Sequence, residues 1–254
     1  MESMNATIAT QLAHRTIRKF TSEPVSAETF NQLMEVARST ATSRNLQNAS
    51  IIRVTNQALK DELAVIATQG YMAEAPELLI FIVDVHRAQG VLDELGSDAP
   101  NSRSMNAFFE GVTDAILMAQ NVVVAAESLG LGTNYFGNIH NNPARVVELL
   151  KLPKLTFPVL GLSFGYPNQE PQLKPRMEMS LRVMENAYQE PESWLEALAE
   201  YDEVMQTYYD LRDEGRRNDS FTQQVVARLA VEPANRTHMM RVAQAQGFDF
   251  ALMG

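Results

Sequence analysis

The sequence predicts an α+β protein. Four strand-like stretches are scattered among many helical ones, without the regular strand–helix alternation of a doubly wound parallel sheet. Residues 77–86 (ELLIFIVDVH) form an apolar, β-branched run of the kind buried on both faces of a sheet. Residues 104–129 carry apolar side chains at helical spacing over more than one face.

The elements follow in order. Residues 5–13 form a short helix leading into His14-Arg15-Thr16-Ile17-Arg18. After a loop with Pro24, Ser26 caps a helix whose Phe30, Leu33, Met34 and Ala37 fall at i, i+3, i+4 and i+7. The polar run 39–45 is a loop, Ile51, Ile52, Val54 and Thr55 a strand, and 57–68 a helix. Strand 77–86 is followed by an expected loop with Gly90, Gly96 and Pro100. The long helix from Ser104 ends at Gly130 as its C′ residue, and its all-round apolarity predicts near-complete burial, in the core or at a subunit interface. Strands at 132–138 and 157–166 flank a helix at 143–150. Helices at 194–211, 221–230 and 236–245 follow a proline-rich loop.

Composition narrows the function. The 254 residues are 45% hydrophobic, enough for a sizeable core in one extended domain or two. A formal net charge of −10 with no Lys/Arg block argues against nucleic acid or anionic lipid as partner. The absence of cysteine removes disulfides, thiol catalysis and iron–sulfur ligation. His14, His86, His140 and His238 show no metal-ligand spacing, so no metal is expected. The first twenty residues lack the pattern of a signal peptide. The most apolar stretch, 115–131, is interrupted by Gln120, Asn121 and Glu127, so no membrane span and a cytoplasmic location are expected.

Few motifs carry chemistry. Two guanidiniums and an imidazole fall within His14–Arg18, and on one helical turn or tight bend Arg15 and Arg18 could converge on a phosphate. The same residues also suit an ordinary basic surface cluster. Lys174 and Arg176 add two cations in a proline-stiffened loop, either solvated or companions of the first cluster around an anion. Tyr135-Phe136-Gly137 ends a strand with an aromatic pair and a glycine, open to a flat ligand or simply a corner. No dinucleotide-binding glycine fingerprint or P-loop is present. Gly161-Leu162-Ser163-Phe164-Gly165 matches the letters of a nucleophile elbow but lies inside an apolar strand pattern.

Five segments in order, HRTIRKFTSEPVS, LQNASIIRVT, AQNVVVAAESLGLGTNYFGNI, LKLP…PVLGLSFGYP and LKPR, resemble the nitroreductase family, in its group of oxygen-insensitive NADPH nitroreductases and NADPH–flavin oxidoreductases. The resemblance runs from about residue 10 to QGF near the C-terminus. It implies a nitroreductase-like α/β sandwich with a central, mainly antiparallel sheet flanked by helices, in an intertwined homodimer with FMN at the subunit interface. Residues 1–190 would be the FMN-binding core, and 191–254 a helical extension wrapping the partner subunit and the NADPH and substrate region.

The resemblance also implies roles for residues. His14, Arg15, Thr16 and Arg18 would hold the FMN phosphate and ribityl chain, with Arg176 near the phosphate and Lys174 tuning the flavin from its pyrimidine edge. Thr42, Ser43, Gln47 and Gln69 would contact FMN, although the chain near Gln69 is one residue short of the family pattern. Tyr135, Phe136 and Gly137 would lay backbone against the ring. Arg212 and Arg217 would grip NADPH, and Arg236 would line the substrate pocket. Departures stand at Thr42-Ser43-Arg44-Asn45, where the family has a serine-rich run, and at Asn138, where it has a second glycine. The implied reaction is ping-pong hydride transfer from NADPH through FMN to a nitroaromatic, quinone or similar acceptor, with no side-chain nucleophile. A flavin reductase supplying free reduced FMN, and a flavin-binding sensor without efficient turnover, remain alternatives.

Overall fold

The computed structural model describes residues 4–208, 219–231 and 236–250. The chain divides into two compact units, Met1–Gln169 with Pro233–Gly254, and Glu170–Glu232. The division expected at residue 190 does not coincide with these boundaries, because 236–250 returns to the first unit.

The first unit is built on four strands: β1 (Ala49–Arg53), β2 (Glu77–Asp84), β3 (Gly132–Phe136) and β4 (Thr156–Gly165). They pair antiparallel in the order β1-β2-β4-β3, which gives the antiparallel α+β sheet that was expected. Alternation along β2 separates two cores. Leu79, Phe81 and Val83 face α2 (Ala27–Arg38) and α5 (Met105–Ser128). Leu78, Ile80 and Ile82 face α3 (Gln57–Ala67) and α6 (Pro143–Leu149), together with Phe136. This two-sided burial is why β2 reads as one continuous apolar run. The first helix of the unit is α1 (Ala6–Leu12) and its last is α10 (Met239–Ala245), after which Phe248 stacks edge-on against Phe108 at 5.0 Å.

Several expectations need adjusting. The stretch after β2, read as loop, begins as α4 (His86–Glu94), with Gly90 inside it and no buried residue. Within it Gln89 Nε2 donates to Asp93 Oδ1 at 2.7 Å, one turn along. The chain leaves α5 at Gly130 in the left-handed conformation (φ +80°), as the C′ reading required. The burial of α5, expected all round, is one-sided within the chain. Ala115, Ala119, Val122 and Ala126 are fully buried, whereas Phe109 (56% exposed), Ile116 and Leu117 lie open. By length and composition α5 is the one helix among the described residues able to cross a bilayer, and 44% of its most apolar window is buried inside the chain.

The second unit carries α7 (Trp194–Ala197), α8 (Ala199–Thr207) and α9 (Phe221–Leu229). A break at Leu198 replaces the single helix expected over 194–211, whose last residues lie outside the described ones. Asp202 ties α8 to α9, its Oδ1 accepting the Thr222 N–H at 2.9 Å.

Candidate functional site

The His14–Arg18 segment is extended, where a turn or bend was the expected way to gather its cations. Thr16 bridges Thr133 in parallel, and the Ile17 N–H donates to the Thr133 carbonyl at 2.8 Å. The segment therefore lies along the free edge of β3. Extended backbone sends alternate side chains to opposite faces, so Arg15 and Arg18 do not converge from one turn. Arg15 lines a cavity of about 450 Å³ with Ile17, Glu127 and Gly132. Its Nε is buried without a hydrogen-bond partner among the described residues.

Glu127, on the last turn of α5, orients His14. Its Oε1 accepts from His14 Nδ1 at 2.7 Å and from the Thr133 hydroxyl at 2.6 Å. The carboxylate side chain is only 12% exposed, and the bond to Nδ1 leaves the imidazole Nε2 for another partner.

The 42–48 loop is held differently. Arg44, Asn45 and Gln47 all have positive φ (51°, 58° and 55°), without a glycine among them. Such a conformation costs a non-glycine residue about 1 kcal/mol or more. Asp114, fully buried on α5, offsets this by accepting the N–H of Ser43 (Oδ1, 2.9 Å) and of Asn48 (Oδ2, 3.0 Å). Hydrogen bonds to a charged acceptor contribute about 1.5–3 kcal/mol each, enough to cover the backbone cost. Glu110, one turn earlier, holds the Arg44 guanidinium at 2.7 Å. From the other side, Arg87 donates to the Gln47 carbonyl, and the Asp84 N–H to the Asn48 carbonyl at 2.9 Å. Thr42 and Ser43 are half-buried, and Gln47 is exposed.

At the end of β3 the Tyr135 hydroxyl donates to Gln120 Oε1 at 3.2 Å, and burial pushes its pKa above the usual phenol range. The Phe136 ring is fully buried in the second core, 5.8 Å from Tyr71, so only its backbone faces outward chemistry. Nothing lies within 4 Å of where a side chain on Gly137 would sit. Asn138 is a junction: its Nδ2 donates to the Ala67 carbonyl at 3.3 Å, and its Oδ1 accepts from Arg236 at 2.5 Å. Arg236 also donates to Asn141 Oδ1 at 3.2 Å and the Gly137 carbonyl at 3.4 Å. Nearby His140 is held below its ordinary pKa by burial, against the pull of the Pro158 carbonyl. Gln69 follows the left-handed Thr68 (φ 53°), and its Oε1 is buried without a partner among the described residues.

The core helix thus braces three of these segments: His14–Arg18, the 42–48 loop and Tyr135 at the end of β3. Lys174 and Arg176 belong to the second unit, where the Pro175 carbonyl between them accepts the Tyr201 hydroxyl at 3.3 Å. Arg212 and Arg217 lie outside the described residues. Sequence reasoning missed Glu110, Asp114 and Glu127. Their signal was present: acids punctuating an otherwise apolar helix.

A two-sided antiparallel sheet, a core helix carrying inward carboxylates and a cationic segment on the sheet edge define an α+β protein of nitroreductase architecture. The chain belongs to the nitroreductase family. Residues 12–166 match the description "Nitroreductase family" and residues 174–251 match "Nitroreductase family, C-terminal domain". It is 37% identical over 245 residues to the NADPH-flavin oxidoreductase of Vibrio harveyi, covering 96% of this chain and 98% of that one. It is 39% identical over 246 residues to the oxygen-insensitive NADPH nitroreductase of Salmonella typhimurium, covering 96% and 99%. Among solved structures, B. megaterium NfrA2 superposes with a TM-score of 0.89 at 32% identity, over 98% of this chain and all of that one. The Vibrio harveyi NADPH:FMN oxidoreductase complexed with NAD+ gives 0.84 at 36% identity, over 96% and 99%.

Proposed function

We propose that this protein is an FMN-dependent NADPH oxidoreductase that passes electrons to nitroaromatics, quinones or similar acceptors. The observation that carries the reading is the fit of the first unit to a bound anion. A cation-bearing segment runs along the β3 edge with His14 oriented by Glu127, and buried polar atoms of Arg15 and Gln69 have no partner among the described residues. These residues fit FMN. His14, Arg15, Thr16 and Arg18 would take its phosphate and ribityl chain, with Arg176 as companion and Lys174 at the pyrimidine edge. Thr42, Ser43, Gln47 and Gln69 would contact it through side chains, and Tyr135, Phe136 and Gly137 through backbone. FMN, when bound, supplies the hydride-accepting and hydride-donating chemistry; the chain supplies binding, orientation and electrostatics.

Arg212 and Arg217 are assigned to NADPH. Arg236 is assigned to the substrate pocket, where its three bonds to the 137–141 turn fix its direction. Use of NADPH as donor supports a cytoplasmic location. The exposed stripe of Phe109, Ile116 and Leu117 on α5 supports a homodimer. Asp114 and Glu127 lie about 20 Å apart along α5, so the loop and the cationic segment serve one ligand most readily when a second copy contributes one of them.

The test is anaerobic mixing of the flavin-loaded protein with NADPH. Rapid bleaching of the visible flavin absorbance, reversed by adding a quinone, is expected. Bound flavin that stays oxidised would overturn the reading in favour of a sensor. A second reading, supply of free reduced FMN, is favoured by relatives named NADPH-flavin oxidoreductase and FMN reductase (NADPH). It requires turnover of free FMN at low concentration and poor turnover of quinones.

A further inference from the structure

We propose that Asp114 is a positioning residue for the flavin site, holding the 42–48 loop in the conformation that presents Ser43 and Gln47 to the ligand. The inference rests on the reading above, in which that loop faces FMN. Asp114 is the only ionisable group among the buried positions of α5. A buried carboxylate is costly unless its oxygens are bonded, so its retention in an apolar core face needs a partner. Both oxygens go to one: Oδ1 to the N–H of Ser43 and Oδ2 to the N–H of Asn48, the two ends of the loop.

Between those ends the backbone visits the left-handed region at Arg44, Asn45 and Gln47, which L-residues abandon when nothing holds them. Gly111, on the same face of the helix, lets the loop come close. A side chain there would stand 2.7 Å from the Asn48 carbonyl. Two carbonyls of the loop are held as well, that of Gln47 by Arg87 and that of Asn48 by the Asp84 N–H. The Ser43 and Gln47 side chains thus stand on a backbone whose path Asp114 sets.

The experiment uses the full-length holoprotein in three forms: unchanged, Asp114→Asn and Val123→Ala. Asp114→Asn keeps the shape but turns one acceptor into a donor facing an N–H. Val123→Ala opens a cavity in the same helix, remote from the loop, and controls for lost stability. Amide hydrogen exchange of 42–48 and release of FMN on dilution, read by flavin fluorescence, are measured together. In Asp114→Asn, loop exchange and the FMN Kd should each rise about tenfold or more, as expected for the loss of one charge-assisted bond. The flavin absorption band should also shift. Val123→Ala should lower Tm with neither change. Two results overturn the proposal: faster loop exchange with FMN Kd unchanged, or FMN loss no greater than in Val123→Ala at equal loss of Tm. An unchanged protein that binds no FMN would instead overturn the functional reading itself, and would be recognised before any substitution is made.

Discussion

The His14–Arg18 segment and the 42–48 loop are both pinned to α5 by carboxylates, half-buried Glu127 and fully buried Asp114, yet by opposite means. In the first, Glu127 holds side chains: the His14 imidazole and the Thr133 hydroxyl. The backbone there is relaxed and paired with β3. In the second, Asp114 holds backbone N–H groups, and the loop it holds is strained at three residues. A relaxed segment keeps its path and needs only its functional group oriented. A strained one needs its path imposed.

Three substitutions probe that contrast. The largest effect belongs to Gly111→Ala, because the added methyl would stand 2.6 Å from Val83 Cγ1 and 2.7 Å from the backbone oxygen of Asn48. Neither neighbour is a flexible side-chain tip, so overpacking should cost about 3 kcal/mol in denaturant unfolding, with faster exchange in the 42–48 loop. A cost below about 1 kcal/mol would mean that the loop moves freely on the helix.

Glu127→Ala comes next. It leaves the buried Thr133 hydroxyl and His14 Nδ1 without their acceptor, a loss of about 2 kcal/mol. FMN should be released faster while exchange in the 42–48 loop stays at its original rate. Acceleration in that loop would show that the two attachments are coupled through α5 and do not act separately.

The smallest effect, and the only gain, is expected at Thr68. This β-branched residue sits at φ 53° after α3, with no carboxylate bonded to it among the described residues. Thr68→Gly should stabilise the protein by about 1 kcal/mol, seen as a rise in Tm. Destabilisation would indicate that the bond from the Thr68 hydroxyl to the Ala67 carbonyl, at 2.6 Å, outweighs the backbone relief.

The same contrast explains what could be read from the sequence. The sheet was legible because β2 is buried on both faces and the Ser26-capped helix has a clean period. The cationic segment was legible because its chemistry lies in its side chains. Its extended shape was not, since pairing with Thr133 is a long-range contact. The 42–48 loop hid its left-handed turns behind Arg, Asn and Gln, with no glycine to mark them. Helix α4 was missed because Gly90, Gly96 and Pro100 are loop residues by composition, and a helix with no buried side chain leaves no apolar period. The polar interruptions of the 115–131 run turn out to be contacts: Gln120 with Tyr135, Asn121 with Thr40 and Glu127 with His14. The stripe of Phe109, Ile116 and Leu117 made α5 look buried all round, though within one chain that face is open.

Whether the protein holds FMN is decided by the visible absorption spectrum of the purified full-length protein, before and after addition of FMN. A yellow protein is expected, or a colourless one that takes up FMN stoichiometrically and quenches or shifts its fluorescence. A protein that stays colourless and binds no added FMN would contradict that expectation.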